Sequence, residues 1–161
     1  MSTNNSRGFQ LTDFTSAGLI EESVYATNKS KALERLVALL VSEGRIDDGA
    51  PLLNEILERE KLMSTGIGKG VAVPHVHSDR VKSYALVIGR CPEGIDYDAV
   101  DGEPVRYIFL VACPRKTSES HLHIVSRLSR ILAGTDLLTR LDKCTTAEDI
   151  LETFREVETS A

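Results

Sequence analysis

Leu33, Leu36, Val37 and Leu40 recur at helical spacing in KSKALERLVALLVSE, residues 29–43, the first amphipathic stretch of the chain. Asn28 stands where an N-cap oxygen belongs, and Gly44 stands where a left-handed stop belongs. A second helix is predicted over 48–61, with Leu52, Leu53, Ile56 and Leu57 inward and Pro51 in its first turn, where proline is tolerated. The period then changes. VAVPHV (71–76), SYALVIGRC (83–91) and VRYIFLVAC (105–113) read as short, mostly buried strands, and a weaker strand is predicted around 18–26. CPEGIDYDAVDGEP, between the last two strands, is rich in Gly, Pro and Asp and reads as a loop or hairpin excursion. After Pro114 the helical spacing returns over 119–133 and 136–143. A last helix begins at TTAE (145–148), a capping-box pattern, with Ile150, Leu151, Phe154 and Val157 on one face.

Two helices, three or more strands and then three helices, with no linker between them, predict one α/β domain over residues 9–161. The expected architecture is a three-layer α/β/α sandwich with a mixed central sheet, preceded by a frayed tail at 1–8. Composition agrees. A chain of 161 residues that is 42% hydrophobic suits one core. Its net charge of −5 and its scattered Lys and Arg lack the concentrated basic footprint of a nucleic-acid binder. The three cysteines, Cys91, Cys113 and Cys144, are odd in number and widely spaced, so reduced thiols are expected and not a disulfide framework. The N-terminus MSTNNSRGFQ has no apolar signal region, and no apolar run approaches the roughly 20 residues of a membrane span. A cytoplasmic protein without direct membrane insertion is expected.

All four histidines lie in two His-x-His pairs, one ending GIGKGVAVPHVH (66–77) and one in SHLHI (120–124). On a strand, His75 and His77 would share a face and could meet one ion. On a helix, positions two apart diverge by roughly 200°. His121 continues the apolar stripe of Ile124, Val125 and Leu128, whereas His123 shares a side with Arg127 and Arg130, read as a solvated basic face. The four rings therefore do not converge, and no metal and no cofactor are expected. A metal-dependent hydrolase using His75, His77 and His121 is the lesser alternative. His75, after Pro74 at a strand end, and His121, at a helix start, fall where open sheets present chemistry. Gly66, Gly68 and Gly70 would let backbone approach a ligand and aim N–H groups at a phosphate; the simpler reading is a tight turn feeding a strand. Arg59 adds a guanidinium suited to phosphate or carboxylate. Lys69, Arg80, Arg115 and Lys116 are further cations near the same rim.

ILEREKLMSTGIGKGVAVPH (56–75) resembles the active-site segment of enzyme IIA domains of the fructose/mannitol type, including the nitrogen-regulatory branch, of the bacterial phosphoenolpyruvate-dependent phosphotransferase system. The matching elements are Arg59–Glu60, Ser64–Gly68, Gly70 and the Ala-Val-Pro-His run ending at His75. SHLHIVSRLSRILA (120–133) resembles the family's later helix. The likeness implies that His75 accepts a phosphoryl group from an HPr-like phosphocarrier and passes it to a IIB domain, or holds it as a regulatory mark toward a target protein. It assigns His121 as the second active-site histidine and Arg59 as the active-site arginine. A standalone component is expected. A non-catalytic regulatory or binding module of the same fold is the other reading. One departure stands out: many relatives carry a small residue after the active histidine, and here Val76 and His77 follow it.

Overall fold

The computed structural model describes residues 10–116 and 120–161, without the side chains of Ser120 and His121. The expected tail at 1–8 lies outside the described residues. Among them are six strands, five α-helices and two short 3-10 turns, Leu11–Phe14 and Ala17–Leu19. The strands are β1 (Ile20–Glu21), β2 (Gly66–Gly68), β3 (Val71–Ala72), β4 (His75–Ser78), β5 (Ala85–Ile95) and β6 (Val105–Pro114). The helices are α1 (Lys29–Ser42), α2 (Gly49–Leu62), α3 (Ser120–Gly134), α4 (Leu137–Leu141) and α5 (Ala147–Ser160).

The long strands β5 and β6 pair antiparallel at the centre, from Ala85↔Ala112 to Arg90↔Tyr107. Beyond β6, β3 and β4 run parallel to it in succession, with Val71↔Tyr107 and His75↔Val111. Pro74 separates them because it has no N–H to offer, yet its carbonyl accepts from Val111 N at 2.9 Å. Strand β2 closes that edge antiparallel to β3, and β1 closes the other edge parallel to β5. The sheet is therefore mixed, as expected.

Side-chain alternation along the strands splits the core in two. Ala85, Val87, Ile108, Leu110 and Ala112 face α1 and α2, where Leu33, Leu36, Leu40, Leu52 and Ile56 are fully buried. Leu86, Ile88, Tyr107, Phe109 and Val111 face the opposite layer, packed on Ile124, Leu128, Ile150 and Phe154. This is the predicted α/β/α sandwich. The helix ends are set locally. Asn28 Oδ1 accepts from Lys31 N at 2.9 Å, and Gly44 takes φ +72° just past α1. The predicted cap of the last helix moves one residue: Thr146 Oγ1 accepts from Asp149 N at 3.0 Å, and Asp149 accepts from the Thr145 hydroxyl at 3.0 Å. Asp149 serves here in place of Glu148.

Candidate active site

Strand β4 presents its residues alternately. Val76 and Ser78 are buried, and His75 and His77 are half-buried on the other side. Register to β6 pins this phase, because a slip of one residue would turn both histidines inward. Val76 is only 6% exposed and packs with the α1–α2 core. The β-branched residue that departs from the family pattern thus acts as a strand core residue.

His75 and His77 open onto a cavity of about 410 Å³, lined also by Glu55, Arg59 and Val76. Glu55 and Arg59 stand one turn apart on α2, which places both side chains on one face. Arg59 Nη1 donates to Met63 O at 3.1 Å, which ties the guanidinium to the helix exit. Glu55 accepts from Arg80 Nε at 3.3 Å and lines a neighbouring cavity of about 500 Å³ with Arg80 and Arg115. Arg115 in turn pairs with Asp79 at 3.2 Å.

The His75 ring is oriented from below. Its Nδ1 lies 3.2 Å from Val73 O. A carbonyl can only accept, so Nδ1 carries a proton, and in the neutral ring Nε2 keeps its lone pair. Sequence reasoning had no means of naming this backbone partner.

Gly66, Gly68 and Gly70 are not among the residues lining this cavity. They build a hairpin. Gly66 and Gly68 form β2, and Lys69 (φ 59°) and Gly70 (φ 80°) make the left-handed two-residue turn into β3. Their backbone is engaged: Gly66 O accepts from Val100 N at 3.0 Å, and Gly70 O accepts from Arg106 N at 2.8 Å and Tyr107 N at 3.0 Å. A Cβ on Gly66 would stand 2.8 Å from Ala99 Cα, so close packing requires a glycine there.

Glu60, quoted only as part of a motif, is the anchor between α2 and this hairpin. Its side chain is 3% exposed. It accepts from Thr65 N at 3.1 Å, from the Thr65 hydroxyl and from Lys29 Nζ at 3.2 Å. The Tyr97 hydroxyl lies 3.3 Å from the Thr65 hydroxyl, and burial, with Glu60 beside it, pushes the Tyr97 phenol well up.

Of the second histidine pair, His123 is exposed, in keeping with its predicted face. His121 falls in the first turn of α3, and its side chain lies outside the described residues. Arg127 corrects the solvated-face reading. It is 25% exposed and donates from Nε to Glu158 at 2.8 Å, whose side chain is fully buried. Among the described residues no group of three or more His, Cys, Asp and Glu is arranged to hold a metal ion. Among them no helix is long and apolar enough to cross a membrane.

A family model described as phosphoenolpyruvate-dependent sugar phosphotransferase system, EIIA 2, matches residues 13–157. The PTS system fructose-specific EIIA component of Haloferax volcanii is 36% identical over 129 residues, 80% of this chain and 84% of that protein. Among solved structures, nitrogen regulatory protein IIA-Ntr from Neisseria meningitidis superposes with a TM-score of 0.82 at 28% identity, covering 89% of this chain and 98% of that one. The enzyme IIAMTL and phosphorylated enzyme IIBMTL complex from Escherichia coli matches with a TM-score of 0.73 at 25% identity, covering 88% and 96%.

Proposed function

The chain belongs to the EIIA 2 family of the phosphoenolpyruvate-dependent sugar phosphotransferase system, a family of phosphoryl carriers, and we propose that it carries the phosphoryl group on Nε2 of His75. The observation behind this reading is the Nδ1–H···O=C bond to Val73, which leaves Nε2 as the nucleophile in a cavity shared with Arg59. A neutral imidazole attacks the phosphorus of a phosphorylated histidine on an HPr-like carrier. The P–N bond to the carrier breaks as the new bond to Nε2 forms, and the electron pair of the broken bond returns to the carrier's ring. Nδ1 keeps its proton throughout. The product ring is thereby cationic, held by the Val73 carbonyl, and it leaves as neutral imidazole when the group moves on. Arg59 and, from the first turn of α3, His121 stabilise the charge on the travelling phosphoryl group. No metal or cofactor enters the step. The glycine hairpin contributes by fixing the strand that delivers Pro74 and His75.

The acceptor is a IIB domain, by analogy with the IIAMTL–IIBMTL pair, and the site of action is the cytoplasm. The likeness to IIA-Ntr supports a second use, in which the phosphorylation state is itself the signal to a target protein. Incubation with phosphoenolpyruvate, enzyme I and HPr is expected to add one acid-labile phosphoryl group, lost in His75→Ala. Undiminished labelling of that variant refutes the assignment. His121→Ala should slow transfer far more than His123→Ala, and equal effects would refute the roles given to the two residues.

A further inference from the structure

We propose that Glu60 is a positioning residue for phosphoryl transfer: its buried carboxylate, acting through Thr65 and Val73, sets which nitrogen of the His75 ring carries the proton. This rests on the carrier reading above and gives a role in it to a buried charged group that does not line the His75 cavity. The link is a chain of hydrogen bonds. Glu60 accepts from the Thr65 amide at 3.1 Å and from the Thr65 hydroxyl. The Thr65 carbonyl accepts from Val73 N at 3.0 Å. The Val73 carbonyl accepts from His75 Nδ1 at 3.2 Å. Val73 is fixed by its side chain as well, which is buried in the core with Val71 and Val111. The next carbonyl, that of Pro74, is taken by Val111 N at 2.9 Å.

The same carboxylate bears on the other half of the site. Arg59 and Glu60 are neighbours in the last turn of α2, about 100° apart around the helix axis. Arg59 lines the cavity with His75, and Glu60 turns to the β2–β3 hairpin. Lys29, at the head of α1, donates to Glu60 at 3.2 Å. Guanidinium and imidazole thus stand on separate elements, α2 and β4, and the contact of Glu60 with Thr65 ties the end of one to the hairpin that leads into the other. A neutral imidazole attacks through the nitrogen that lacks a proton, so the tautomer decides whether Nε2 or Nδ1 is the nucleophile. An anchor that only holds the fold together changes stability; a positioning residue changes the tautomer and the transfer rate in the folded chain.

The test compares Glu60→Ala, Glu60→Gln and Leu40→Ala in the full chain, each under conditions where circular dichroism shows it folded. Leu40→Ala is the control. It opens the α1–α2 core toward the opposite end of the helix pair, where Val41 faces Gly49, and so destabilises without touching the chain of hydrogen bonds. Nitrogen-15 NMR of the neutral His75 ring reads the tautomer. Single-turnover transfer from phosphorylated HPr, with the steady-state KM for that donor, reads the chemistry. Glu60→Ala should lower the ratio of Nδ1–H to Nε2–H rings about 3–10-fold, the worth of one hydrogen bond, and slow transfer by a like factor, with KM changed less than about 2-fold. Glu60→Gln keeps one acceptor oxygen for the Thr65 amide and should lie between alanine and the unmodified chain in both readouts. Leu40→Ala should match the unmodified chain in both. If Glu60→Ala does not fold, Thr65→Val, which removes the hydroxyl donor alone, should shift both readouts in the same direction. Either readout within about 2-fold of the original, a loss confined to KM, a glutamine no better than alanine, or equal changes in Leu40→Ala overturns the inference. Failure of the unmodified chain to take up phosphoryl overturns the carrier reading as well. Normal uptake by the unmodified chain with an unmoved tautomer in Glu60→Ala overturns this inference alone.

Discussion

Glu60→Ala is expected to destabilise the fold by about 3–5 kcal/mol, although Glu60 lines no part of the cavity around His75. The carboxylate is 3% exposed and receives two donors from Thr65 and one from Lys29. Lys29 is 18% exposed and lies 4.7 Å from the centre of the Tyr97 ring, so it can turn to solvent and recover part of its loss. The Thr65 amide cannot, and an orphaned buried N–H costs about 1–3 kcal/mol. The lost hydrogen bonds to a charged acceptor add about 1.5–3 kcal/mol. At roughly 2–4 °C per kcal/mol for a chain of this size, the melting temperature should fall by about 6–20 °C. Urea denaturation followed by circular dichroism reads the change, with the slope in urea unaltered if the loss is confined to the folded state. Glu60→Gln keeps the volume but sets an amide N–H against a donor, so it should recover only part of the stability. A double-mutant cycle with Thr65→Val should give a coupling of about 1–3 kcal/mol. An alanine variant within about 1 kcal/mol of the unmodified chain would show that the buried carboxylate is not the anchor between α2 and the β2–β3 hairpin.

Gly66→Ala should cost about 1–3 kcal/mol in urea denaturation, because its Cβ would press on Ala99 backbone, whereas Gly102→Ala, with φ +72° and open space, should cost only about 1 kcal/mol; equal losses would refute the packing account. Glu158→Ala should speed amide hydrogen exchange at Thr12, whose N–H donates to that carboxylate at 3.1 Å, and unchanged exchange would show that the 3-10 turn is held otherwise. Burial pushes the Cys91 thiol up to about 11 and the Cys113 thiol up to about 12. Both raised values favour the protonated, folded form below the free-thiol pKa of about 8.5, and that contribution is lost as pH climbs toward the folded values. The urea midpoint should therefore fall between about pH 8.5 and 10.5, and a flat midpoint would refute the burial argument. A thiol reagent near pH 8 should label Cys144, half-buried at the head of α5, well before the other two.

What the sequence reveals here follows how far each interaction reaches along the chain. The apolar stripe of α1, the Asn28 cap and the Gly44 stop are settled within a few residues, and all three stand where local pattern places them. The hairpin made by the glycine run was not legible because its conformation is decided by partners distant in sequence. Ala99 covers Gly66, and Asp101 accepts from Lys69 N at 3.0 Å. Arg127 misled for the same reason: its helical phase is correct, but Glu158, 31 residues on, brings a buried carboxylate to it. Glu55 was within reach of sequence reasoning, since its spacing of four from Arg59 puts the two on one helix face. His77 lies between these cases. Period-two alternation alone places it beside His75, but only the α2 side chains across the cavity show what the pair faces. Glu55 pairs with Arg80 at 3.3 Å, so it does not cancel the charge that Arg59 offers an incoming phosphoryl group.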